Sequence, residues 1–161
     1  MSQTSYSISP AAALPGMIAR PLDARNTIVS RVNAADLPAG VYVTRDAADD
    51  AVKVPVTTGE VTASGVGFTI LNVGKEPVSD GSTVDWAATK GVSVMTFGSL
   101  WVTCESAAAY GGDVFVRFTI EAPDLQLGSV RNDADTDKAV AAPGWKFRST
   151  LAAGGLVLIE R

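Results

Sequence analysis

The sequence predicts an all-β protein, a small β-barrel or sandwich with an extended N-terminal arm and at most one short helix. Three observations carry this reading. From Asn26 onward, short β-branched runs alternate with turn residues, the pattern of an all-β sandwich or barrel. Two of those runs, Leu100–Cys104 and Val114–Ile120, flank an Ala-rich connection that ends in Gly111-Gly112-Asp113, where glycines supply the positive φ needed to turn into the second strand. The opening residues carry Pro10, Pro15 and Pro21 and hold no periodicity for more than a few positions.

The chain divides into an arm over residues 1–25 and a β domain over residues 26–161. The arm reads as extended or polyproline-like backbone with sparse apolar anchors, Tyr6, Ile8, Leu14, Met17 and Ile18. Such a segment is either a frayed terminus or an arm that orders on a partner, and the anchors favour the second. Strands are expected at Thr27–Val32, Val41–Arg45, Val52–Val56, Gly65–Asn72, Val92–Phe97, Leu100–Cys104, Val114–Ile120, Gln126–Arg131, Lys146–Thr150 and Leu156–Glu160. Period-two alternation sends Trp101 with Val114, Val116 and Phe118 toward a core, and turns Thr103, Phe115 and Arg117 the other way. Turns are expected at 37–40, 46–50, 74–81 and 152–155. Glu105–Tyr110 is the helical candidate, a single turn at most. The sequence shows no internal repeat.

Composition excludes several chemistries. The chain has 161 residues and no His, so it lacks the usual general base near neutral pH, and no Ser-His-Asp or Cys-His mechanism can be built. The one Cys, Cys104, falls in a strand pattern and reads as a small packed hydrophobe. Zinc sites made of Cys and His are excluded, and no cofactor is expected. A net charge of −4 without a basic run argues against a nucleic-acid partner. No run is apolar enough to span a bilayer and the first residues lack a basic signal-peptide start, so a soluble protein made in the cytoplasm is expected, with no membrane partner. Hydrophobic residues make up 47% and charged residues only 19%, so much of the surface must be Ala, Gly, Ser, Thr and apolar atoms. Such a surface tends to be covered by a partner.

Three local patterns suggest function and lose to simpler readings. Asp133-Ala134-Asp135-Thr136-Asp137 places carboxylates as a calcium loop does, but Lys138 stands where the loop needs Gly and Gly144 where it needs Glu, which leaves a solvated acidic turn. Ser64-Gly65-Val66-Gly67 begins like a dinucleotide fingerprint yet continues as a strand, so Gly65 and Gly67 mark a bulge or close sheet approach. Asp49 and Asp50 beside Asp46 are turn aspartates rather than an acid–base pair.

The ordered set of motifs resembles the capsid cement, or decoration, proteins of tailed bacteriophages. The residues that carry the likeness are the Ser2–Ile8 arm, Ile28–Asn33, Leu37-Pro38-Ala39-Gly40-Val41, Gly98–Val102 with Glu105, Gly112–Arg117, Gly128–Asp135 and Ala152–Val157. The resemblance covers nearly the whole chain. Pro143-Gly144-Trp145 and the segment Gly74–Lys90 depart from it. It implies a non-enzymatic virion protein on the outer capsid surface that binds the major capsid protein lattice and self-associates as a homotrimer at three-fold or quasi-three-fold positions; with such a partner, the apolar anchors of the arm are the expected capsid-binding residues. The competing reading from the residues alone is a β-sandwich module that binds carbohydrate or protein.

Overall fold

A computed structural model describes residues 13–20, 24–47, 50–71, 85–86 (backbone), 88–120 and 125–161. The architecture is all-β, as the alternation predicts, but the strands close into two five-stranded barrels in tandem. The first contains β1 (Thr27–Asn33), β3 (Tyr42–Arg45), β4 (Ala51–Lys53), β5 (Gly65–Thr69) and β7 (Gly91–Phe97). The second contains β8 (Ser99–Cys104), β9 (Asp113–Arg117), β10 (Val130–Arg131), β11 (Ala139–Phe147) and β12 (Gly155–Glu160). A two-stranded sheet pairs β2 (Leu37–Pro38) with β6 (Asp85–Trp86).

Both barrels follow one strand order. The first strand pairs in parallel with the third (β1 with β4, β8 with β10) and antiparallel with the fifth (β1 with β7, β8 with β12). The second strand lies between the third and fourth, and the fourth meets the fifth. Gly98 alone separates the barrels, at φ 129°. The molecule therefore contains a structural repeat that its amino-acid sequence does not display.

Leu37, Val41, Val43, Val52, Val66, Val92 and Val94 fill the first barrel. A second cluster spans the junction, where Tyr42, Val61, Phe68 and Met95 join Leu100, Val102, Val114, Val116, Trp145, Phe147, Val157 and Ile159. Phe68 stands edge-on to both Tyr42 and Trp145, with ring centroids 5.1 and 4.9 Å apart. The barrels thus share a core. A β-bulge between Val43 and Thr44 leaves Val66 as the extra residue on β5, and Val66 packs inside the first barrel while Phe68 faces the second.

Several expectations are corrected. Glu105–Tyr110 forms no helix: Ala108 and Leu151 exchange backbone hydrogen bonds of 2.8 and 2.9 Å, a β-bridge that this short Ala run cannot resist. The one helix among the described residues is α1 (Thr58–Thr62), closed by a capping box in which Glu60 N–H donates to Thr57 Oγ1 and the Glu60 carboxylate accepts from the Thr57 N–H. The inward face of β8 is Leu100, Val102 and Cys104, whereas Trp101 is half-buried on the outer face beside Thr103. The strand expected at Lys146–Thr150 instead runs Ala139–Phe147, passing Pro143-Gly144 through a register shift between Ala141 and Lys146, where a proline costs the ladder no bond.

Residues 16–19 of the expected arm are docked on their own domain. Gly16 N–H donates to Trp101 O (2.7 Å), Trp101 N–H to Met17 O (2.9 Å) and Ala19 N–H to Ser99 O (2.9 Å), with Ile18 bridged to Leu100. Gly16 O also accepts from Leu71 N–H at 2.8 Å, so this strap ties the end of the first barrel to β8. Gly16 and Gly40, both at φ 79°, lie back to back; a Cβ on Gly16 would stand 2.7 Å from the Leu71 nitrogen. Only glycine allows these backbones to meet.

Candidate functional site

The structure engages the polar motifs internally. Arg117 lies on the outer face of β9 as the alternation places it, yet it is 1% exposed, because the 129–139 segment covers it. Its guanidinium binds Glu105 through both oxygens, Nε to Oε1 at 2.9 Å and Nη2 to Oε2 at 2.7 Å, and reaches Asp135 at 2.7 Å. Arg131 holds Asp135 and Asp133, each at 2.7 Å, and the Ser129 hydroxyl donates to Glu105. The hydrogen bond from Arg117 keeps the Asp135 carboxyl below the usual carboxylate range. Two carboxylates of the calcium-like sequence are thus committed to guanidinium groups, and residues 135–137 turn through the left-handed region at φ 45°, 53° and 64°. The expected solvated acidic turn is instead an ion-paired knot.

Elsewhere the motifs meet their simpler readings. A Cβ on Gly65 would collide with the Tyr42 hydroxyl, so Gly65 marks a close approach. Asp50 pairs with Arg31 at 3.2 Å and Asp46 with Lys53 at 3.6 Å, while Asp49 lies outside the described residues. Cys104 is buried, and burial pushes its thiol up from the ordinary value, away from the reactive thiolate. Among the described residues no group of three or more His, Cys, Asp or Glu could hold a metal ion, and no helix is long and apolar enough to cross a membrane.

Of the arm anchors, Tyr6 and Ile8 lie outside the described residues. Leu14, just before the strap, and Met17 on it are 54% and 45% exposed, and Ile18 is half-buried against the shared core. Further apolar side chains face solvent on the first barrel: Ile28, Val32 and Phe97. Ile28 and Val32 occupy the outward positions of β1 while Val29 pairs inward with Val94, so β1 exposes apolar residues on the face away from its core.

The strap leads into a cleft at the barrel seam lined by Arg25, Phe97, Gly98, Ser99, Glu160 and Arg161. Arg20 and Arg148 each approach the Glu160 carboxylate at 3.7 Å. Sequence reasoning missed this cluster because its arginines are isolated along the chain. The knot left a fainter trace: Glu105, Arg117, Arg131, Asp133 and Asp135 all fall in the motifs that carry the family resemblance.

A family model described as Structural cement protein (E217 gp24/Pam3 gp6) matches residues 2–161. No curated protein matches the chain. Among solved structures, a chain of "The capsid of Myoviridae Phage XM1" is similar in fold, with a TM-score of 0.73 at 17% sequence identity, covering 99% of this chain and 97% of that one.

Proposed function

Because the chain belongs to the phage structural cement protein family, we propose that it fastens neighbouring major capsid subunits together from the outer surface of the shell. It is a capsid cement protein and its place is the virion. The observation that carries this reading is the family match over residues 2–161, and the surface chemistry agrees with it. Exposed Leu14, Met17, Ile28, Val32 and Phe97 on a chain with only 19% charged residues are what a protein held by a lattice presents.

The attachment is structural rather than enzymatic. Of its motif carboxylates, Asp46, Asp50, Asp133 and Asp135 are held in ion pairs, and its thiol is buried. Exposed Met17 of the strap and Leu14 just before it, continued by Tyr6 and Ile8 of the arm, are the contact residues, whereas Ile18 holds the strap to the shared core. Repetition over the shell multiplies weak contacts through effective concentration. Three copies gather at three-fold or quasi-three-fold positions, where a head-to-tail contact closes and no open filament forms. Nucleic acid and membrane have no part in this assembly.

The test is co-sedimentation of the full chain, and of a chain lacking residues 1–12, with shells assembled without it. The full chain pellets with shells, and the shortened one pellets at least tenfold more weakly. Failure of the full chain to pellet overturns the proposal. A reconstruction of decorated shells reads the copy number at each three-fold position.

A further inference from the structure

We propose that the arginine-lined cleft at the barrel seam is a docking site for an acidic segment of the capsid shell protein, continuing the contact that the strap begins. The inference rests on the cement reading above, which makes the partner a protein lattice.

Two of the chain's eight arginines, Arg25 and Arg161, line the cleft and two more, Arg20 and Arg148, approach the Glu160 carboxylate in its wall, although the chain carries a net charge of −4. The ion-paired knot of the second barrel is the internal standard. There Arg117 and Arg131 share three carboxylates, with nitrogen–oxygen distances of 2.7 Å. At the seam Arg20 and Arg148 share one carboxylate, Glu160, at 3.7 Å, beyond hydrogen-bond length. Arg161 meanwhile donates to the Thr96 carbonyl, a neutral partner, at 3.3 Å. The Glu160 side chain is 17% exposed, whereas Arg20 at 58% and Arg148 at 36% stay open to solvent. A planar guanidinium with free N–H groups accepts a further carboxylate in a bidentate pair.

Around the charges stand apolar anchors. Phe97 lines the cleft and is 41% exposed, and Met17 lies three residues before Arg20 on the strap. Arginine beside exposed aromatic and aliphatic side chains is the composition of a protein-binding hot spot. A long polyanion such as nucleic acid is disfavoured by the net negative charge of the rest of the molecule, whereas a short acidic segment meets only the cleft.

The test measures binding of the full chain to shells assembled without it, as a function of salt. Arg20→Gln with Arg148→Gln is expected to weaken binding at least tenfold and to flatten the salt dependence, with the thermal midpoint of the free protein unchanged within a few degrees. Arg45→Gln, remote on β3, is the control and leaves both unchanged. A hexaglutamate peptide is expected to compete with shells for the wild-type chain, an arm that stands even if the double variant folds poorly. Unaltered affinity and salt slope in a folded double variant, or no competition by hexaglutamate, overturns the proposal, as does binding of a 30-base-pair duplex as tight as that of shells. If the wild-type chain does not bind shells at all, the cement reading itself fails, which is a distinct result.

Discussion

In the first barrel the third and fourth strands are joined through the capped helix α1, and Lys53, the last residue of the third strand, binds Glu60 of that helix at 2.9 Å. In the second barrel the same connection is an open turn, and Arg131, again the last residue of the third strand, binds Asp135 of that turn at 2.7 Å. The second strands differ in the same sense. Thr44 is buried with its hydroxyl 2.9 Å from the carbonyls of both Glu60 and Ser64, whereas Arg117 is buried with its guanidinium on Glu105 and Asp135. The short helix leaves carbonyls without an intrahelical N–H, and the buried Thr44 hydroxyl serves two carbonyls at its C-terminal end while Lys53 holds its first turn. In the turn of the second barrel the buried strand residue is itself charged, and Arg117 with Arg131 holds the turn through carboxylates alone. One strand order thus accommodates two chemistries, and the barrels are expected to fail differently when those are removed.

The largest effect should come from Trp145, fully buried on β11 against Phe68 of the first barrel. Trp145→Ala should cost about 4 kcal/mol, the usual range for a large buried aromatic. Because its ring sits in the core that both barrels share, amide exchange should rise in both together. Exchange that rises in the second barrel alone would show two independent units and remove the shared core as the basis of cohesion.

Next comes the contrast itself. Arg117→Met leaves Glu105 and Asp135 without their main partner and should cost about 3 kcal/mol, the lower end for a buried pair since both carboxylates keep some solvent. Thr44→Val removes a neutral hydroxyl and should cost about 1–2 kcal/mol. Denaturant midpoints of the two variants test this directly. Equal losses would mean that the ionic pins add nothing over a hydroxyl.

Gly16→Ala acts between the barrels. The left-handed φ alone should cost about 1–2 kcal/mol, and the approach to the Leu71 nitrogen adds to it. Amide exchange at Leu71 and Trp101, the strap's hydrogen-bond donors on either side, should accelerate while the barrel interiors keep their protection. Unchanged exchange at both would show that the strap holds by its side chains alone.

The smallest effect is the response to acid. The hydrogen bond from Arg117 depresses the Asp135 carboxyl in the folded state, so its contribution is complete above the unfolded value of about 3.9 and is lost as pH falls through the lower folded value. Burial alone would raise Glu60, but the Val56 amide and Lys53 outweigh it, and that carboxyl is lowered as well. Asp135→Asn should flatten the stability profile below about pH 5 in the second barrel, and Glu60→Gln in the first. A profile that keeps its slope in both variants would place the acid sensitivity elsewhere.

Much of this was legible from residue types. The strands at 27–33, 42–45, 91–97, 99–104 and 155–160 lie where β-branched alternation predicts them, because burial of one face at period two is a local property of the chain. The capped helix was legible in principle, since Thr57-Thr58-Gly59-Glu60 carries the capping signature. Its Thr-rich, Gly-containing segment has low helix propensity, and only the seating of Val61 in the shared core makes a single turn stable. Arg117 illustrates the opposite case. Period two assigns its face correctly, and what covers that face is decided by a segment more than ten residues away in sequence.

Sequence by itself determined the all-β class, the lack of any His, the packed thiol and the strand-by-strand alternation, each from residue identity or from neighbours a few positions apart. Its ordered motifs, taken over nearly the whole chain, marked the cement family. The tertiary structure alone decided that the strands close into two rings of one order, that residues 16–19 dock as a strap, that five charged residues form an ion-paired knot around buried Arg117 and that four arginines collect around one seam. Those arrangements depend on which strand edges pair and which surfaces then meet, and pairing over long sequence separation leaves no period in the sequence from which it could be read.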